Sequence, residues 1–187
     1  MTESSSPPAK YESELIFIEP GSGLEIRAIS PSERDTVAAI LAPATGAGTV
    51  EAATQAIDDL QAADKAALYG GFIRHELVAA YGIRRDGMSN EIPVIAVRAD
   101  HRRRGIGRAL LQDALRRSGK RPLLVETDDE GLPFYKACGF KLFGKRPQPS
   151  GRVRYRLGWH APGVRFKGGS TNALTHKPLD PSSDGST

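Results

Sequence analysis

Residues 98–111 read RADHRRRGIGRALL and place five arginines around two glycines at the predicted start of a helix. The stretch follows the Val- and Ile-rich run EIPVIAV and precedes apolar residues at helical spacing, which are Ile106, Leu110, Leu111, Ala114 and Leu115. The first backbone N–H groups of a helix lack acceptors inside it and, together with the helix dipole, attract anions. Since Gly105 and Gly107 have no side chains to keep a pyrophosphate away, this stretch predicts a phosphate-binding turn made of backbone.

Two common nucleotide-binding motifs do not describe this turn. Leu110 stands where the third glycine of the dinucleotide fingerprint G-x-G-x-x-G would fall, and the chain contains no G-K-[ST] sequence of a P-loop. The phosphate-bearing ligand is therefore expected to be of another class.

The patterns on both sides of this stretch predict a mixed α/β sheet. LEIRAIS, from Leu24, alternates as a half-buried strand, and Ser30, Pro31 and Glu33 form a capping signature for a helix at about 31–41. A second helix is capped by Thr49 and carries the apolar positions Val50, Ala53, Ile57 and Leu60.

Three strands in a row then predict a meander, in ALYGGFIRH, ELVAAYGIRRDG and EIPVIAV. The helix of residues 106–118 leads to the strand PLLVET, the short helix LPFYKACGF, and two final strands, KLFGKR and RVRYRLGWH. The predicted order is β-α-α-β-β-β-α-β-α-β-β, and a right-handed crossover over residues 92–125 makes its two strands parallel.

One domain is predicted at residues 24–160, between two tails. Residues 1–23 form an N-terminal tail, in which LIFIEP suggests an added strand at 15–19, and the Gly-, Pro- and Ser-rich residues 161–187 form a flexible C-terminal tail.

Composition excludes several classes of protein. The net charge of +4 is modest, so charge alone does not indicate nucleic acid. The single cysteine, Cys138, excludes an internal disulfide, and the four scattered histidines predict no metal site. No apolar run approaches the roughly 18 residues of a membrane span, and the N-terminal residues lack a signal-peptide core, so a cytoplasmic protein without membrane association is expected.

Two motifs in register resemble one family. The R-x-x-G-x-G pattern of residues 102–107 is similar to the acyl-CoA-binding motif of the GNAT superfamily of N-acetyltransferases. In that family the helix after the next strand ends in Tyr followed by Gly-Phe, which is Tyr135 with Gly139-Phe140 here. The resemblance covers about residues 24–160 and includes the predicted order of elements.

The resemblance implies a binding site for acetyl-CoA as co-substrate, without a metal. The amides from Arg103 to Ala109 would bind the pyrophosphate. The motif residues assigned to the cofactor are Arg102, Arg103, Arg104, Gly105, Ile106, Gly107, Arg108 and Ala109, and the guanidinium groups of Arg103, Arg104 or Arg108 are available to the 3′-phosphate.

The strand before the motif would hold the pantetheine arm. Ile95, Ala96 and Val97 would pair with it like an added strand, with a bulge and a splay from PLLVET opening the slot. The Val97 amide would lie near the acetyl carbonyl and stabilise the developing oxyanion. Asp128 stands where many relatives have an Asn that touches the cofactor.

The resemblance also implies the catalytic residues. Tyr135 would act as general acid, because a phenol can protonate a departing thiolate. Glu91, fourteen residues before Gly105, has the register of the general base in the histone acetyltransferase branch. Glu126 is the second choice for the base, and water is the third.

Each assignment has a structural alternative. Tyr135 can be an aromatic of the core, and Glu91 a solvated residue after a turn. Arg98, Arg102 and Arg103 can form a solvent-facing rim, since the amides alone suffice for an anion. Cys138 is interpreted as a packing residue rather than a nucleophile.

Three functions remain open from the sequence. The first is direct acetyl transfer from acetyl-CoA to a primary amine of a small molecule or peptide. The second is acetylation of aminoacyl-tRNA, with phosphates contacted by the arginines of residues 98–104 and 152–156. The third is a non-catalytic acyl-CoA-binding module. In this fold the first two helices, their loop and the final hairpin form the acceptor pocket. Those segments carry few fixed charges besides Asp58, Asp59 and Asp64, which suggests a cationic amine. The protein is expected to be a monomer or homodimer.

Overall fold

The computed structural model describes residues 17–18, 23–149 and 151–160. Residues 1–16 and 161–187, which the sequence assigns to the two tails, lie outside the described residues. The strands are Phe17–Ile18 (β1), Leu24–Ala28 (β2), Ala66–Ile73 (β3), Glu76–Asp86 (β4), Ser89–Ile92 (β5), Ile95–Val97 (β6), Leu123–Thr127 (β7), Lys141–Pro147 (β8) and Val153–Trp159 (β9). The α-helices are Arg34–Leu41 (α1), Val50–Ala62 (α2), Ile106–Ser118 (α3) and Leu132–Ala137 (α4).

The strands form one mixed sheet, which confirms the predicted fold class. Its order is β1-β2-β3-β4-β5-β7-β9-β8, with β6 paired to β4 beside this path. The β5–β7 pair is parallel, as the crossover through α3 predicts, and the other pairs described are antiparallel. The strand expected at residues 15–19 is observed as Phe17–Ile18, which pairs with β2.

Capping residues define the starts of the first two helices. The Glu33 carboxylate accepts a hydrogen bond from the Ser30 backbone N–H at 2.8 Å, and one 3₁₀ turn, Pro31–Glu33, precedes α1. The predicted helix at 31–41 is therefore 3₁₀ in its first turn. Thr49 caps α2 by accepting from the Ala52 amide at 3.2 Å. The buried stripe of α2 begins at Ala53, whereas Val50, also expected in it, is 46% exposed.

Hydrophobic cores cover both faces of the sheet. One core packs α1 and α2 on the strand residues Leu68, Phe72, Leu77 and Ala80 and on Val94, between β5 and β6. The other packs α3 and the aromatic residues around α4 on Leu24, Ile26, Tyr81, Leu123, Val125 and Leu157. These opposite cores hold the ends of β6, β7, α3 and α4 next to one another.

A buried carboxylate joins α3 to the sheet. Asp113 is 2% exposed, and its Oδ2 accepts hydrogen bonds from the Tyr81 hydroxyl at 2.7 Å and from Arg117 Nε at 2.8 Å. The Arg117 guanidinium lies 3.7 Å from the centre of the Tyr69 ring, which stacks on Tyr81. The burial cost of this charge is offset because both donors are fixed by packing.

Candidate active site

The sheet forks after Ile92. The strand that follows the meander is interrupted at residues 93–94 into β5 and β6. β5 pairs with both β4 and β7, and Ile92 lies opposite Val125, whereas β6 pairs with β4 alone. Within the described residues, the edge of β6 that faces β7 therefore has no strand partner, and a slot opens between Ile95–Val97 and the end of β7.

The direction of the backbone groups along β6 follows from its bonds to β4. The Gly82 N–H donates to the Val94 carbonyl at 2.9 Å, and the Arg98 N–H donates to the Val78 carbonyl at 2.8 Å. Because backbone groups alternate along a strand, those of Ala96 also face β4, and those of Ile95 and Val97 face the slot. The backbone of Ala96 therefore pairs with β4, and the assignment of Ala96 to the cofactor stays a prediction.

The opposite wall of the slot is the carboxyl end of β7. The Asn90 N–H donates to the Pro122 carbonyl at 2.8 Å, so this carbonyl faces β5. Because carbonyl directions alternate along a strand, the carbonyl of Glu126, four residues later, points to the same side. The slot is therefore lined by the backbone of Ile95 and Val97 on one side and by the Glu126 carbonyl on the other.

The turn before α3 presents unpaired donors. Arg103 and Gly105 both have left-handed backbone conformations, with φ of 63° and 83°. Within the described residues, no backbone N–H of residues 103–108 has a hydrogen-bond acceptor, whereas the Ala109 N–H donates to the Gly105 carbonyl at 3.0 Å. The Ala109 N–H thus makes the first intrahelical bond, and its assignment to the cofactor stays a prediction. Consecutive unpaired N–H groups in such a turn form an anion-binding concavity.

The arginines of this stretch divide into two groups. Arg98 is ion-paired with Glu76 and with Asp100, 2.7 Å away, so its interpretation as a structural residue is favoured. Arg102 Nε donates to the Val97 carbonyl at 3.1 Å and fixes the end of β6. The second group is Arg103, Arg104 and Arg108. These three are exposed, and in the described part of the chain they form no ion pair.

Gly107 allows α4 to approach the start of α3. A Cβ at Gly107 would lie 3.2 Å from Phe134 Cζ and 3.7 Å from Val97 Cγ2. The Phe134 ring, 38% exposed, therefore borders both the donor turn and β6. The sequence offers one signal for this position, since Phe134 directly precedes Tyr135 of the motif.

Tyr135 lies beside Phe134 in the core. Its ring meets those of Phe134 and Phe140 edge-on, with centroids 5.1 and 5.7 Å apart. Burial raises the pKa of the Tyr135 phenol above its usual value, and the positive charge of Arg154 opposes this shift in pKa. The hydroxyl therefore keeps its proton at neutral pH, as a general acid requires, while its ring also fills the core.

The two candidate bases lie on one face of the sheet. Glu91 is opposite Leu124, two residues before Glu126 on β7, so both carboxylates point away from the α3 side. Arg84 donates to Glu91 through Nε and Nη2 at 2.9 and 2.8 Å. Glu126 is paired with Arg156 at 3.3 Å and with Arg146 at 3.5 Å. Both are thus ion-paired and neither is simply solvated.

Asp128 and Cys138 have structural surroundings. Asp128 Oδ1 accepts from the Gly131 N–H at 3.1 Å and closes the turn before α4, and its contact with a cofactor stays a prediction. Burial raises the pKa of the partly buried Cys138 thiol, consistent with a packing role.

Comparisons with known proteins agree with this geometry. Residues 62–142 match the family model of the acetyltransferase (GNAT) domain. A comparison with curated protein sequences gives no significant match. The described residues include no helix that is long and apolar enough to span a membrane.

Solved structures share the fold at low sequence identity. A GNAT family acetyltransferase from Elizabethkingia anophelis with acetyl-CoA bound superposes with a TM-score of 0.58 at 17% identity, covering 75% of this chain and 99% of that one. An aminoglycoside 6′-N-acetyltransferase complexed with coenzyme A gives 0.63 at 14% identity, covering 72% and 96%. A Bacillus subtilis acetyltransferase in complex with CoA gives 0.56 at 18% identity, covering 74% and 97%.

Proposed function

We propose that this chain transfers an acetyl group from acetyl-CoA directly to a primary amine of a small molecule or peptide, and the match of residues 62–142 to the GNAT acetyltransferase domain model supports this proposal. The observation that carries the proposal is that two backbone surfaces with free N–H groups lie next to each other. One is the turn of residues 103–108, called the donor turn here, and the other is the edge of β6 that faces the slot. Arg102 connects them, because its side chain donates a hydrogen bond to the Val97 carbonyl.

The residues present suit coenzyme A. The unpaired N–H groups of residues 103–108 would hold the pyrophosphate, and Arg103, Arg104 and Arg108 would reach further phosphate oxygens. Ile95 and the Val97 amide would pair with the pantetheine amides, as an added strand does. When bound, acetyl-CoA supplies the activated thioester.

The chain's own residues would then move protons. Tyr135 Oη donates its proton to the departing sulfur, and burial keeps that proton in place beforehand. Glu91, Glu126 or water removes the proton of the amine. The Val97 amide donates a hydrogen bond to the carbonyl oxygen as negative charge develops on it.

Two measurements test this function. Acetyl-CoA is titrated into the protein by calorimetry, and free thiol is then followed with a panel of amines: amino acids, peptides, polyamines and an aminoglycoside. We expect acetyl-CoA binding together with amine-dependent thiol release. Binding without release under any amine would identify an acyl-CoA-binding module instead, and absence of binding would contradict the whole assignment.

A further inference from the structure

We propose that the acceptor amine carries a carboxylate or phosphate group and that Arg154 and Arg156 bind this anion beside the slot. The inference rests on the proposed acetyl transfer and names its substrate class. It starts from the β8–β9 hairpin, whose cations lie on the sheet face that also carries Glu91 and Glu126.

Arg154 reaches the slot itself. Its Nη2 lies 3.4 Å from the Glu126 carbonyl oxygen, which points toward the slot. Its positive charge also lowers the pKa of the Tyr135 phenol and so opposes the effect of burial on that pKa. An anion bound by Arg154 would therefore sit beside the Glu126 carbonyl, at the wall of the slot.

The charge around Arg154 is unbalanced. The Glu126 carboxylate lies 3.5 Å from Arg146 and 3.3 Å from Arg156. In the described part of the chain, Arg154 has no carboxylate within ion-pairing distance. The Asp128 carboxylate, whose negative charge also acts on the Tyr135 phenol, accepts from the Gly131 amide. Three guanidinium groups thus lie around Glu126, two on its carboxylate and one on its carbonyl oxygen, and an anion on the acceptor would give Arg154 a charged partner.

The acids expected to attract a cationic amine are engaged elsewhere. Asp58 is ion-paired with Arg34, and Asp59 Oδ1 accepts from Gln55 at 2.8 Å. Asp64 lies 3.5 Å from its neighbour Lys65. Each of these three carboxylates thus already has a contact within the described part of the chain. A positive wall also favours the neutral, nucleophilic form of an amine over its ammonium form.

Matched amines test the proposal through the specificity ratio. Thiol release is measured for amino acids against their amides, beginning with glycine and glycinamide, for phosphoethanolamine against ethanolamine, and for spermidine. We expect kcat/KM at least tenfold higher for the anionic member of one pair. The carboxylate and phosphate arms tell which anion is used. Ratios near one in both arms, or a preference for spermidine, would overturn the proposal.

Variants separate anion binding from catalysis. Arg154→Gln should reduce the ratio of anionic to neutral acceptor at least tenfold, because the ratio cancels any effect on Tyr135. Arg121→Gln, an exposed arginine before β7, is the charge-matched control and should keep the ratio. A ratio that Arg154→Gln leaves unchanged contradicts the assignment.

Product binding gives a readout without turnover. With coenzyme A present, N-acetylglycine and N-acetylglycinamide are titrated by calorimetry into the wild type and into Arg154→Gln. Binding of the acid alone, lost in the variant, supports the anion site, and equal or absent binding of the acid overturns it. If no amine releases thiol although acetyl-CoA binds, the proposed transferase function fails, and these titrations still decide the anion site.

Discussion

Tyr135 combines a core position with a hydroxyl that has no hydrogen-bond partner among the described residues. Its ring packs against Phe134 and Phe140, so truncation would disturb the core, but removal of the oxygen alone would not. The two interpretations of this residue, core aromatic and general acid, therefore make different predictions for a phenylalanine substitution.

Tyr135→Phe should lower kcat by about 100-fold, which is the lower range for loss of a general acid. The dissociation constant for acetyl-CoA should stay within about twofold, because the ring remains. Steady-state thiol release and calorimetry check this, with Tyr69→Phe as a control on the other side of the core. An unchanged kcat would leave Tyr135 as a packing residue only.

Because burial raises the pKa of this phenol above its usual value near 10, the hydroxyl should not limit activity below about pH 10.

At the scale of elements, the start of α3 depends on one glycine conformation. Gly105 has φ of 83° and open space around its missing Cβ, so Gly105→Ala adds backbone strain without a clash. The substitution should destabilise the protein by about 1 kcal/mol and weaken acetyl-CoA binding, because the donor turn relaxes. Gly87→Ala is the matched control, since Gly87 has φ of 55° in an equally open turn away from the site. Equal acetyl-CoA affinity in both variants would contradict the role of the turn.

The start of α1 should be sensitive to acid. Hydrogen bonds from Arg27 lower the pKa of Glu33 from about 4.5 to about 2, and the Ser30 amide adds to this effect on the pKa. Since the folded pKa is lower than the unfolded pKa, the stabilisation is present above pH 4.5 and is lost as pH falls toward 2. Glu33→Gln should therefore lower the free energy of unfolding by about 1 kcal/mol at pH 7 and by almost nothing near pH 2. Urea unfolding at several pH values checks this, with exposed Glu51→Gln as the control.

The elements of the site could be predicted from the sequence better than the directions of their polar groups. The apolar positions from Ile106 to Leu115 and the turn glycine predict α3, because a period of 3.6 and a left-handed residue are local properties. Which amide of β6 faces the slot depends on pairing with β4, and a period of two does not reveal that register. Arg154 reaches the slot only through the pairing of β9 with β7, which the sequence pattern does not specify.

At the scale of the whole molecule, one buried hydrogen bond ties the helix that bears the donor turn to the sheet that bears the slot. The Tyr81 hydroxyl donates to Asp113, and Tyr81 lies opposite Ile95 of β6. The sequence does not single out either partner, because Asp113 has the pattern of an ordinary polar position on an amphipathic helix. Only its tertiary contacts show that it is buried.

Tyr81→Phe should lower the free energy of unfolding by about 1–3 kcal/mol, because a buried carboxylate loses one of its donors. Tyr155→Phe removes the hydrogen bond that the Tyr155 hydroxyl donates to the exposed carboxylate of Asp129, and should cost less than about 1 kcal/mol. Urea denaturation of both variants measures the difference. Equal losses would show that the Asp113 network does not stabilise the assembly of helix and sheet.

The fork after Ile92 predicts a distinct pattern of amide hydrogen exchange in the ligand-free protein. In deuterium oxide, the amide hydrogen of Ala96 should exchange slowly, while its neighbours at Ile95 and Val97 exchange fast, so protection alternates residue by residue along three positions. Saturation with coenzyme A should slow the two fast sites and leave the middle one unchanged. Such a pattern, read by NMR, would locate the occupant of the slot without any crystal.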